Sequence, residues 1–338
     1  MSRDPHDFSS PRNETSSGTD SPVASPDPSV LQGTGFAHGT FGELLQGALP
    51  GPENHFLITL PIHRFSRTTL TVHPEHTSLC VTPSRKVKAA RLAELLLHRL
   101  GRPERGHLHI ESQLPEGKGL ASSSADLVAT ARAIFSAHGR PVDEELLLDL
   151  LREIEPTDGV MYSDCVAFFH RRVQLHRRLG SFDERLSILA IDEGGIVDTV
   201  TYNESCNGFT DLECTTYAEL LDEACEAFSR SDLQALGAIA TRSSELNQPR
   251  NPKRYFGRML SLSEDCEALG VVATHSGPCL GLLFDDSEKH RRAKDEARRD
   301  LESQGLEIFE LSTLVPESAT EGFQPFEVDS SVHQYFSL

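Results

Sequence analysis

The stretch Pro115–Gly139, PEGKGLASSSADLVATARAIFSAHG, sets two close glycines, a lysine and three consecutive serines directly ahead of a helical pattern. Glycines let a backbone bend toward a ligand and aim several N–H groups into one concavity, and a helix adds about half a positive charge at its N-terminus. Phosphate suits such a place, with Lys118 as a mobile cation and a serine hydroxyl as an oxygen ligand for Mg²⁺. The same residues would also serve a plain turn followed by a well-capped helix, because glycine and serine dominate turns. Ser123 with Asp126 reads as a capping-box-like start, and Leu127, Val128, Ala131, Ile134 and Phe135 recur at amphipathic helical spacing before Gly139 closes the helix. Neither the Walker A pattern G-x-x-x-x-G-K-[ST] nor the dinucleotide pattern G-x-G-x-x-G occurs.

The rest of the chain limits what such a site can serve. Among 338 residues, 32 basic side chains face 51 acidic ones, a formal charge of −19 that repels nucleic acid and anionic lipid at long range. Any anionic ligand must therefore be held by local features. No apolar run approaches the roughly 20 residues that cross a bilayer, and the N-terminus lacks a basic start followed by an apolar stretch. The expectation is a cytoplasmic protein that is not a membrane protein. The seven cysteines are scattered, with no CxxC pair and no Cys/His cluster at zinc spacing, so they read as reduced, mostly buried thiols.

The length suits two domains. Residues 1–32 are rich in Ser, Pro, Asp, Thr and Asn and cannot bury enough surface to offset ordering, so a disordered tail is expected there. HFLITLPI, RTTLTVHP, SLCVTP and HLHIESQL read as strands, and KVKAARLAELLLHRLG as a helix closing on Gly101. A helix over Asp143–Ile154 follows Pro141, and LSILAID is a buried strand succeeded by Gly194-Gly195 and the strand-like IVDTVTY. Leu220–Phe228, Leu233–Leu246, Phe256–Leu269 and Lys289–Leu301 have helical periodicity, interrupted by the strand-like VVATHSGPCLGLLFD and ended by GLEIFEL. An α+β second domain is expected, with a boundary near Leu179–Leu186.

Pro115-x-x-x-Gly119-Leu120-Ala121-Ser122-Ser123-Ser124-Ala125 resembles the central P-x-x-x-G-L-G-S-S-A motif of the GHMP small-molecule kinases. GTFGELLQG (Gly39–Gly47) resembles their N-terminal motif, and THSGPCLGLLFD (Thr274–Asp285) their C-terminal glycine-rich motif, in the same order. GLASSSAD, EPTDGVMY and AIDEGGIVDTVTYN look most like the L-threonine kinase branch of cobalamin biosynthesis and propanediol utilisation. The resemblance spans about Gly35–Leu311 and departs from the pattern at Ala121, His38 and Thr40. Alanine at 121 costs backbone freedom only if that residue needs a positive φ.

This resemblance implies an α+β, two-domain GHMP kinase fold. Its N-terminal half, residues 33–182, would be a ribosomal-protein-S5-domain-2-like, ATP-binding domain, and residues 183–338 a ferredoxin-like domain. ATP and Mg²⁺ are the implied cofactors and a small amino acid or amino alcohol the implied acceptor. Pro115, Glu116, Gly117, Lys118, Gly119, Leu120, Ala121, Ser122, Ser123 and Ser124 would hold the ATP phosphates, with Ser123 and Glu155 on the metal. Asp158 takes the place of the catalytic aspartate, while Glu43, His275, Ser276 and Gly277 would face the acceptor, and Gly281 would bring backbone close. Plainer roles stand beside these: Asp158 in a Thr-Asp-Gly turn, Glu43 as a solvated acid, Glu155 facing water and His275 as a packed residue. Arg64 and Arg67 are possible carboxylate clamps, although surface arginines are common. The branch implies L-threonine phosphorylation to L-threonine O-3-phosphate; serine, homoserine or ethanolamine as acceptor, or a non-catalytic nucleotide- and metabolite-binding regulator, are the alternatives.

Overall fold

The computed structural model describes residues 30–195 and 208–315. The tail over 1–29 and the strand expected at IVDTVTY lie outside the described residues. Two long strands, β1 (Leu31–Ala48) and β2 (His55–Val72), run antiparallel through the centre. HFLITLPI and RTTLTVHP are thus one strand, and β1 starts inside the segment expected to be disordered. The order continues with β3 (Leu79–Thr82), α1 (Val87–Arg99), β4 (Gly106–Ser112), α2 (Ser122–Ala137), α3 (Glu144–Arg152), β5 (Cys165–Phe169) and β6 (Gln174–Gly180). It then runs through β7 (Ser187–Asp192), α4 (Asp211–Ser229), α5 (Leu233–Asn247), α6 (Phe256–Asp265), β8 (Gly270–Ala273), β9 (Cys279–Phe284), α7 (Glu288–Ser303) and β10 (Ile308–Ser312).

The strands join in one sheet ordered β10-β7-β9-β8-β1-β2-β4-β3, from which β5 and β6 branch off β2. Every pairing is antiparallel except β3 with β4. The two halves of the chain meet where β1 loses its regular register with β2 near Gly39–Leu45, and Glu43 there pairs with Ala273 of β8. Bulges re-aim side chains, and this one falls within the GTFGELLQG motif. Among the described residues no helix is long and apolar enough to cross a membrane, and the six described cysteines are free.

Helix α2 departs from the amphipathic pattern. Thirteen of its sixteen residues are buried, because it lies between the β1–β2 face of the sheet and helices α1 and α3. Its start is also not a capping box: the N-cap is Ala121, and no side chain caps the helix. Ser123 instead donates its hydroxyl proton to Glu155, and Asp126 accepts from Ser66 Oγ at 2.5 Å and Lys86 Nζ at 2.6 Å. Tertiary partners have drawn away both groups that local spacing assigned to the cap. By contrast, α3 is capped as its sequence suggests, with Asp143 accepting from the Leu146 N–H at 3.1 Å.

Ala121 sits at φ 57°, ψ 29°, in the left-handed region. An L-residue pays roughly 1–2 kcal/mol there, whereas glycine adds only its unfolded-state entropy. Ala121→Gly is expected to stabilise the fold by a net ~0.5–1 kcal/mol. The check is a higher urea midpoint for the variant; an unchanged or lower midpoint contradicts this account.

Candidate active site

The uncapped start of α2 opens onto a cleft of about 340 Å³. Its lining includes Glu116, Gly117, Gly119, Leu120, Ala121, Ser122, Ser123 and Ser124 around the start of α2, together with Glu43, Glu155, Asp158, His275 and Ser276. Residues from β1, the α2 entrance, the 155–158 loop and the β8–β9 bend therefore converge, although they are more than 200 positions apart in sequence. Pro115, Lys118 and Gly277 are not among the lining residues.

Two glycine bends make this convergence possible. A Cβ on Gly119, whose φ is +75°, would meet Thr274 Cβ at 2.8 Å and Gly277 Cα at 2.9 Å. A Cβ on Gly277 would run into the Lys118 carbonyl. Such separations are below any real side-chain contact, so the two backbones touch because neither carries a side chain at this point. The N-terminal motif joins the same contact through the Thr40 N–H, which reaches the Leu120 carbonyl at 3.3 Å.

Lys118, expected to be a mobile cation, is held in an ion pair in this structure. Its ammonium lies 2.6 Å from the Asp192 carboxylate at the end of β7 and donates to the Gly195 carbonyl at 2.9 Å. Basic side chains do line the cleft at the start of α1, where Arg85, Lys86 and Lys88 stand, each of them also in an ion pair. Lys86 bridges Asp126 and Glu116, each at 2.6 Å, and Lys88 pairs with Glu155. The SRKVK stretch, a basic cluster in an acidic chain, is the signal that could have pointed to them.

Glu155 is buried and accepts from both Ser123 and Lys88. A hydroxyl and a carboxylate side by side form a hard oxygen donor pair, and the carboxylate already draws a cation, so these two residues fit Mg²⁺. Among the described residues there is no group of three or more His, Cys, Asp or Glu that could hold a metal ion, and water and a bound phosphate chain would supply the further oxygen ligands. Asp158 follows in a turn closed by the Val160 N–H on its own carbonyl at 2.8 Å, and its N–H donates to Ser124 Oγ at 3.3 Å. Burial, reinforced by the Glu155 charge, pushes its carboxyl up to about 7.

Glu43 is 2% exposed. One of its oxygens has no hydrogen-bond partner, and the His275 N–H approaches the carboxyl group. Burial first and the nearby Asp158 second hold its carboxyl well above the usual range. The His275 ring lies 2.7 Å from Gln46 Oε1 and packs edge-on to the buried His170, centroids 5.2 Å apart. Burial holds its imidazole down at about 3, so it is neutral at neutral pH and offers no cation to a carboxylate. Arg64 and Arg67 lie on β2 outside the cleft lining, and Arg67 is paired with Glu111.

Known proteins share this arrangement of chain. The GHMP kinases N terminal domain matches residues 87–172, and the GHMP kinases C terminal domain matches residues 224–303. The chain is 30% identical to an L-threonine kinase of Citrobacter freundii over 255 residues, 72% of this chain and 83% of that protein. It is 28% identical to an L-threonine kinase of Salmonella typhimurium over 76% of this chain and 83% of that one. The solved homoserine kinase of Cytophaga hutchinsonii superposes with a TM-score of 0.65 at 14% identity, covering 84% of this chain and 95% of that one, a likeness of fold. With family matches in both halves and a 30% identical relative over most of its length, the chain belongs to the GHMP kinases and is a small-molecule kinase.

Proposed function

We propose that this kinase transfers the γ-phosphoryl group of Mg²⁺-ATP to the hydroxyl of L-threonine, forming L-threonine O-3-phosphate and ADP in the cytoplasm. The observation that carries this reading is the α2 N-terminus, free of any side-chain cap, facing a cleft that also holds the Ser123–Glu155 pair and Asp158. Backbone N–H groups and the helix field there would receive the β- and γ-phosphates, with Lys86 and Lys88 adding charge. Ser123 and Glu155 would hold Mg²⁺, which supplies charge neutralisation for the transferred group and the leaving diphosphate. The two halves, residues 33–182 and 183–338, would contribute the nucleotide loop and the second glycine bend respectively.

The threonine hydroxyl oxygen, in line beside the γ-phosphorus, would form the new bond to it while the bond to the β–γ bridging oxygen breaks. The hydroxyl proton passes to the Asp158 carboxylate. A carboxyl held near 7 is balanced between taking that proton and releasing it afterwards. Glu43, with one oxygen lacking a partner, would receive the substrate ammonium, and that cation would draw Glu43 into its ionised form. The choice of L-threonine rests on the two L-threonine kinases among the relatives. Because Glu43 would accept an ammonium while the neutral His275 offers no charge to a carboxylate, ethanolamine, an amine without a carboxylate, is the second reading; serine and homoserine carry the same two charged groups as threonine and remain alternatives to it.

ADP release by purified protein with L-threonine, L-serine, L-homoserine and ethanolamine separates these acceptors. L-threonine is expected to give the highest kcat/KM, and a preference for another member moves the assignment to it. Asp158→Asn is expected to lower kcat by about 10²–10⁴-fold while ATP affinity changes little; unchanged turnover removes Asp158 from the proton transfer. Since the ionised form is the acceptor, wild-type kcat/KM should fall about tenfold per pH unit below pH ~7, and this acid limb should vanish in Asp158→Asn. An acid limb that survives in the variant assigns it to another group.

A further inference from the structure

Behind the second glycine bend stands a lysine that neither the motif nor the cleft lining includes. Lys253, between α5 and α6, is 7% exposed, and its ammonium donates to the Gly277 carbonyl. Burying an ammonium costs several kcal/mol unless charge and hydrogen bonds compensate it. A charged donor holds a carbonyl more strongly than a neutral amide does, and the lysine also sets a positive charge directly beneath the bend. Its surroundings are built to keep it in place. The Lys253 N–H donates to Gln248 Oε1 at 2.9 Å, and Asn251 Nδ2 holds the adjacent His275 carbonyl at 2.8 Å. Glu193 accepts the N–H groups of Arg254 at 3.0 Å and Tyr255 at 2.7 Å, and its own N–H donates to the Pro278 carbonyl at 3.2 Å.

We propose that Lys253 is a positioning residue for phosphoryl transfer, whose ammonium grips the Gly277 carbonyl from behind and holds the second glycine bend against the phosphate loop at Gly119. Gly277 is the residue whose backbone meets Lys118 and Gly119, so a displaced Gly277 displaces the loop that enters α2. The ammonium also faces Glu43 from β1, Glu193 from the end of β7, and Cys279 and His275 from the two sides of the bend. Its field favours the ionised form of Glu43, the group that would meet the substrate ammonium. Lys253 thus links the position of the phosphate loop to the charge state of the acceptor end. The geometry comes first, and burial adds that the ammonium is held down at about 8, within reach of ordinary assay conditions.

This inference rests on the kinase reading above, and the experiment separates the two. Lys253→Met and Lys253→Arg are compared with wild type for Mg²⁺-ATP affinity by calorimetry, kcat and KM for the acceptor, and kcat between pH 7 and pH 10. Lys253→Met should lose about 10²-fold in kcat and also weaken Mg²⁺-ATP binding, because the released bend lets the phosphate loop shift. Lys253→Arg should keep activity at neutral pH and carry the alkaline fall, centred near pH 8 in wild type, to above pH 10. Active wild type with Lys253→Met turnover within threefold of it, or an alkaline limb shared by wild type and Lys253→Arg, overturns the role of Lys253 alone. Wild type that binds ATP yet phosphorylates no acceptor overturns the kinase reading and this inference together. Should Lys253→Met not fold, the wild-type profile decides, because a kcat flat from pH 7 to pH 10 is incompatible with the proposal.

Discussion

The site depends on one contact, the meeting of two side-chain-free backbones at Gly119 and Gly277. One belongs to the loop that enters α2, the other to the bend between β8 and β9, and any Cβ at either position would push them apart. With the contact made, the start of α2, the 155–158 loop and the Glu43 bulge face a common cleft. The sheet supplies the frame for it. β1 runs through the middle of the sheet, and its irregular stretch at Gly39–Leu45 pairs with β8 on one side and β2 on the other.

Electrostatics then sets the character of the cleft. A chain with a formal charge of −19 places Lys86 and Lys88 at the helix entrance, where the α2 N-terminus already favours anions. Glu43 and Asp158 belong to the same lining, close enough for their charges to oppose each other, and both resist ionisation. The strained backbone of Ala121 also lines the cleft, as expected where the path of the chain is dictated by a site rather than by local preference.

Much of the fold was legible in the chain. The helices at 87–99, 144–152, 233–247 and 288–303 follow from apolar side chains at helical spacing, with Gly101 and Asp143 marking a stop and a start. β1 was not read as a strand, because it is buried on both faces over much of its length and interrupted by glycines, so it shows no alternation. β5 and β6 were also missed; the first is a short run buried throughout, whose apolar stretch has no period to mark it. The helix expected to run to Leu269 stops at Asp265, where the chain turns into β8.

By itself the sequence determined the glycine-rich bends, the helix that follows the serines, the order of the three motifs and hence the kinase family. These are encoded within a turn or two of backbone, where spacing and residue type speak directly. Only the tertiary structure decided which charged group serves which partner. Lys118 turned to Asp192, Lys88 to Glu155, Lys253 to the Gly277 carbonyl, and Asp126 left its helix cap for Ser66 and Lys86. The physical reason is that an ion's partner is chosen by burial and distance in the folded molecule, and residues far apart in the chain leave no local trace of that choice.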